Sequence, residues 1–133
     1  MSDSKVSYLV RVEQRLEAAH NLREYHGMCE RLHGHSWKVE VFVRAPKLDH
    51  EGMALDYLQV RRALQEILTD WDHNYINNIP PFDKLNPSSE NIATFIFQQM
   101  SKVIDSEKSW IEKVLVWEGP EYYTACEKVD ENT

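Results

Sequence analysis

The residues most able to do chemistry sit in one short run, Cys29-Glu30-Arg31-Leu32-His33-Gly34-His35. Two histidines at an i, i+2 spacing share one face of a β-strand, because strand side chains alternate sides. Two imidazoles on one face are two of the three protein ligands of a catalytic zinc site. Cys29 has two readings. As a fourth ligand it would close the site. As a separate thiol beside a cation its pKa would fall and its thiolate could take a proton. Spacing leaves both open.

The missing ligand comes from an upstream pattern. Val6, Tyr8, Val10, Val12, Leu16 and Ala18 share one parity, and Ser7, Arg11, Glu13, Arg15 and Glu17 share the other. This is a half-buried strand, and His20 continues its apolar parity. Residues 33–44 alternate in the same way, with His33, His35, Trp37, Val39, Val41 and Val43 together. Paired antiparallel, the two strands bring His20, His33 and His35 to one face near one end. Each imidazole carries polar nitrogens that an apolar face does not satisfy. The expectation is therefore a Zn2+ ion held by His20, His33 and His35, with a fourth position open to water or substrate. His26 and His50 fall in loops and read as surface residues.

The remaining elements must position this site. Residues 45–55 are a turn-rich connection, and Asp56 is placed to cap a helix. Tyr57, Val60, Leu64, Ile67, Leu68 and Trp71 follow helical spacing over about four turns. Asp72-His73 follows at the helix end. The pair reads either as an acid-oriented imidazole or as a histidine at the negative end of the helix dipole beside a solvated carboxylate. Residues 76–87 are a proline-bearing loop. Asn86-Pro87-Ser88-Ser89-Glu90 starts a second helix, whose stripe runs from Ile92 to Ile104. Residues 110–118 and 122–128 are strands. In the first, Ile111, Leu115 and Trp117 lie on one parity, and Trp110, Val114, Val116 and Glu118 on the other. Glu118 by itself reads as an exposed strand end, although a carboxylate there could accept two N–H bonds from a guanidine-like ring edge. The order β-β-α-α-β-β predicts an α+β fold: a four-stranded antiparallel sheet with two helices on one face. Strand edges rich in Val, Trp and Tyr invite pairing with other copies, so a homo-oligomer is expected.

Composition bounds the function. The 133 residues predict a single domain over 1–133, with frayed tails at 1–5 and 129–133. No apolar run is long enough to cross a bilayer, and the polar start lacks the apolar core of a signal peptide, so a cytoplasmic location is expected. Two cysteines are too few for a disulfide framework. A net charge of −7 without a Lys/Arg cluster argues against a nucleic-acid partner. A small phosphorylated ligand needs only a few cations, and Arg31 and Lys84 are candidates.

Together these stretches resemble the family of 6-pyruvoyl-tetrahydropterin synthase and 6-carboxy-5,6,7,8-tetrahydropterin synthase. The resemblance rests on Leu16 to His20, Cys29 to His35, Leu55-Asp56-Tyr57, Asp72 to Asn77, Asn86 to Glu90 and Trp117-Glu118. It implies the tunnelling fold, in which subunits join their sheets into a β-barrel with helices outside, and a homohexamer built as a dimer of trimers. It implies zinc on His20, His33 and His35, and Cys29 as the proton acceptor. Asp72 and His73 then act in a relay with the Cys29 of a neighbouring chain. Glu118 anchors the pterin ring, and Ser88, Ser89, Glu90 and Arg31 are candidate substrate contacts. Three residues separate Cys29 from His33, as in the carboxy-type subgroup of 7-deazaguanine and queuosine biosynthesis; the animal pyruvoyl-type enzyme has a longer spacing. The activity so implied is a lyase reaction on 7,8-dihydroneopterin triphosphate. Two features depart from the family pattern: Leu16 stands where an aromatic is common, and Gly119 where threonine is common.

Overall fold

The computed structural model describes residues 5–23 and 33–129, with His33 described by its backbone alone. Four strands and two helices follow the expected order: β1 (Tyr8–His20), β2 (His33–Ala45), α1 (Tyr57–Leu68), α2 (Ser89–Ile104), β3 (Trp110–Trp117) and β4 (Tyr123–Glu127). A short 3-10 turn, Ile76–Asn78, lies in the loop between the helices. The strands form one antiparallel sheet in the order β1-β2-β3-β4. Among the described residues, no helix is long and apolar enough to cross a membrane.

Alternation makes this sheet two-faced. On β2, Trp37, Val39, Val41 and Val43 are all buried, facing Val60, Leu64 and Leu68 of α1 and Ile92, Ile96 and Met100 of α2. Removing a side chain such as Leu64 or Ile96 down to alanine costs ~2–5 kcal/mol in cores of this kind. The β1–β2 register runs without a break from Tyr8 opposite Ala45 to His20 opposite His33.

Two expectations are corrected. The first helix ends at Leu68 rather than Trp71. Trp71 and Asp72 both donate their N–H to the Leu68 carbonyl, at 3.0 Å each, and the chain turns there. The turn keeps Trp71 buried and lays residues 73–75 along the outer edge of β1, where Ala19 N–H donates to the Asn74 carbonyl at 3.1 Å. Asp56 does cap the helix, accepting from Leu58 N–H at 2.9 Å. The second correction concerns β3. The register against β2 shifts between Phe42 and Val43, so Lys113 pairs with Phe42 and Ile111 with Val43. Glu112 is the extra residue of a bulge, which bends the strand and breaks strict alternation. Ile111 and Val114 therefore both face the core, where parity alone had put them on opposite sides.

The face away from the helices is polar yet partly closed. Glu40 in β2 has a side chain only 8% exposed and accepts from Arg11 Nε and from the indole N–H of Trp117. The Lys38 ammonium lies 4.5 Å from the Trp117 ring centre, and that of Lys113 lies 4.6 Å from Phe42. Burial pushes the Glu40 carboxyl upward, but the two donors outweigh it and hold the group below its ordinary value of 4.5. A depressed folded pKa stabilises the fold above the unfolded value and loses that contribution as pH falls through the folded one. Glu40→Gln is thus expected to cost about 2 kcal/mol at neutral pH. In urea denaturation the gap to wild type should narrow below pH 4.5 and close once Glu40 is protonated in the folded chain.

Candidate functional site

His20 ends β1 and is buried, 1% exposed. Its Nδ1 lies 2.7 Å from the carbonyl oxygen of Pro87. A carbonyl only accepts, so Nδ1 carries a hydrogen, and in the neutral ring the lone pair is then on Nε2. That is the tautomer a metal ligand needs, with its orientation set by the bond on the other nitrogen.

Nε2 of His20 stands 3.5 Å from one oxygen of Glu118, and Nε2 of His35 stands 3.7 Å from the other. Among the described residues, one ligand atom each from His20, His35 and Glu118 lies within 4.8 Å of the others. Two imidazoles and a carboxylate, partly to fully buried, form a donor set suited to a divalent ion such as zinc. Trp37 forms the floor. Its ring lies 4.8 Å from His20 and 5.5 Å from His35, edge-on to both, and its indole N–H donates to the Ala18 carbonyl at 3.2 Å. Parity explains the gathering: His20, His35 and Trp37 sit on the core face of adjacent strands, where β1 and β2 run unbroken. Glu118, one residue beyond β3, turns its carboxylate to the same side and accepts from the Ser89 hydroxyl at 2.9 Å.

Gly119 then takes φ +116°, a backbone conformation that favours glycine. This accounts for glycine at a position where the resemblance led us to expect threonine. The Glu118 N–H donates to the Tyr122 carbonyl at 3.2 Å and closes the β3–β4 turn.

Asp72 and His73 do touch. His73 Nδ1 lies 3.1 Å from Asp72 Oδ1, and the same oxygen accepts from the Glu17 N–H at 2.9 Å. Neighbouring side chains seldom meet like this. Here His73 adopts φ +60°, which folds the pair together at the edge of β1. The side chains are 77% and 44% exposed, and His73 shares with His35 the lining of an open cavity of about 380 Å3.

The other expected site residues divide. Ser89 reaches the site through Glu118. Ser88 is the α2 cap, accepting from Asn91 N–H at 3.1 Å, and Glu90 and Lys84 are exposed. Cys29 and Arg31 lie outside the described residues. His33 is paired through its backbone with His20, and its side chain also lies outside them. Sequence reasoning missed the Pro87 carbonyl, and with it Arg23, Asn77 and Asn86, which hold that loop. Asparagines on either side of a proline-bearing loop were the available signal.

A family model described as 6-pyruvoyl tetrahydropterin synthase matches residues 9–129. A 6-carboxy-5,6,7,8-tetrahydropterin synthase of Synechocystis sp. is 32% identical over 100 residues, covering 71% of this chain and 76% of the relative. A 6-pyruvoyl tetrahydrobiopterin synthase of Poecilia reticulata is 30% identical over 114 residues, covering 75% of this chain and 77% of the relative. The solved structure of Caenorhabditis elegans 6-pyruvoyl tetrahydropterin synthase superposes with a TM-score of 0.82 at 21% identity, covering 93% of this chain and 97% of that one. At that identity the likeness speaks for the fold.

The positive φ at His73 yields a test of what its imidazole does. Glycine tolerates φ +60°, so His73→Gly should change folding stability by no more than about 1 kcal/mol. Turnover measured beside chemical denaturation then separates the two: a large rate loss at near-normal stability reports the imidazole, not the backbone.

Proposed function

The chain belongs to the 6-pyruvoyl tetrahydropterin synthase family, and from that premise we propose that it is a zinc-dependent lyase of the carboxy type. Its substrate would be 7,8-dihydroneopterin triphosphate, and its products 6-carboxy-5,6,7,8-tetrahydropterin, acetaldehyde and triphosphate, in 7-deazaguanine and queuosine biosynthesis. The observation that carries the reading is that His20 and His35 turn their Nε2 atoms to one place, beside Glu118, while His20 Nδ1 is engaged by the Pro87 carbonyl. The three-residue gap between Cys29 and His33 and the name of the Synechocystis relative favour the carboxy-type product.

In this reading His20, His33 and His35 would hold the zinc, and the chemistry supplied there would be Lewis-acid polarisation of a side-chain oxygen of the substrate. Cys29 removes and returns protons on carbon, and Asp72 orients His73 to tune it. Glu118 accepts from the flat pterin edge while Ser89 steadies its other oxygen, so the ring is in register before the side chain reacts. Further copies of the chain would pair along β1 and β4, the outer strands of the sheet, to close a barrel, with a hexamer as the final assembly. The Poecilia relative's name favours a second reading, in which the same site yields a pyruvoyl product.

Product analysis with 7,8-dihydroneopterin triphosphate decides between them. Acetaldehyde is expected; a pyruvoyl product without it would replace the carboxy-type assignment. For Cys29→Ala, zinc content by elemental analysis should match wild type while turnover falls by about 10²-fold or more. Loss of zinc together with turnover would make Cys29 a metal ligand instead.

A further inference from the structure

Just beyond β1, the chain is held by side chains that imitate a neighbouring strand. The Asn77 carboxamide accepts from the Asn21 N–H at 3.0 Å and donates to the Asn21 carbonyl at 3.0 Å. The Asn86 carboxamide repeats this two residues on, accepting from the Arg23 N–H at 2.8 Å and donating to the Arg23 carbonyl at 3.0 Å. Exchanging both bonds at every second residue is what a paired antiparallel strand does. Two amides thus continue the sheet's hydrogen bonding where the sheet itself stops.

Arg23 closes the clamp from its own side. Its guanidinium donates to the carbonyls of Leu85 at 3.2 Å, Asn77 at 3.1 Å and Phe82 at 2.6 Å. The Asn91 carboxamide of α2 donates to the Asn86 carbonyl at 2.9 Å. The next residue after Asn86 is Pro87, whose carbonyl meets His20 Nδ1. The Asn86–Arg23 bonds and the Pro87–His20 bond therefore tie the same two short segments together, three residues apart on one and adjacent on the other.

We propose that Arg23 and Asn86 are positioning residues of the metal centre, because they hold the Pro87 carbonyl on His20 Nδ1 and so fix which nitrogen of His20 is the ligand. The inference rests on the reading that His20 binds zinc. The χ2 rotation of histidine is broad, so an acceptor held in place is what selects one ring orientation. A loop that drifts by an ångström would lose both the orientation and the tautomer preference. Outer partners of metal-bound histidines commonly carry 10–100-fold of metal affinity.

The test is zinc affinity of the full chain, by competition with a chelator, for wild type, Asn86→Ala and Arg23→Lys. Asp56→Ala, which removes the cap of α1, serves as a variant that is less stable without touching the clamp. Asn86→Ala and Arg23→Lys should bind zinc about 10–100-fold more weakly, and Asp56→Ala should stay within about twofold of wild type. Wild-type affinity in both clamp variants would overturn the inference, as would an equal loss in Asp56→Ala. Should the clamp variants not fold, long-range nitrogen–proton NMR of zinc-free wild type decides. A proton on His20 Nδ1, slow to exchange, is expected, and one on Nε2 overturns the proposal. A wild-type chain that binds no zinc would sink the metal reading and this inference with it, an outcome distinct from variants that match a zinc-binding wild type.

Discussion

The constraint on which the structure depends is the register between β1 and β2. Every residue from Tyr8 to His20 has its partner on β2, with no bulge. A slip of one residue would turn every side chain of a strand to the other face. It would expose the buried valines of β2 and carry His35 away from His20 in the same step. Selection for a packed core and selection for the site therefore act on one quantity. The bulge that the sheet does contain lies on β3, at Glu112, far along the strand from Glu118. There it bends the sheet without disturbing the histidines.

Register alone brings imidazoles near each other; it does not orient them. That second task falls to a loop of backbone carbonyls and carboxamides between the helices. Asn77 is 5% exposed and His20 1%, and polar groups buried this deeply destabilise the fold unless bonded. The loop resolves this locally: each amide meets a backbone N–H and a backbone C=O, and the guanidinium of Arg23 meets three carbonyls. On the proposed function, a polar network so fully connected is what would hold a metal-binding histidine in one orientation.

Much of this was legible in the residues. His20 and His35 met where parity put them, because parity follows from strand geometry and the strands carry no bulge at that end. The two helices and the cap at Asp56 were readable for a similar reason: apolar spacing and capping chemistry are both local. What escaped was decided by distant parts of the chain. The end of α1 depends on the edge of β1, which draws residues 73–75 alongside it. The parity of β3 depends on where β2 lets it bulge. The Asp72–His73 contact depends on a positive φ at a non-glycine residue, which carries no side-chain signature. The Pro87 carbonyl was least visible of all, because any residue offers a carbonyl and only the fold decides which one meets His20.

The uneven exposure of the site bears on how it works. His20 is sealed in the core while His73, 77% exposed, stands at the sheet edge with Asp72 already oriented by the Glu17 N–H. A proton relay gains little in open water, where solvent competes for every proton and screens every charge. The pair is rigidly built on its inner side, through β1 backbone, and open on its outer side. On the proposed function this is the geometry of half a site. On that reading the buried half would hold the metal, and the open half would be covered by a second copy of the chain, whose approach along the outer strand would exclude water and join the two.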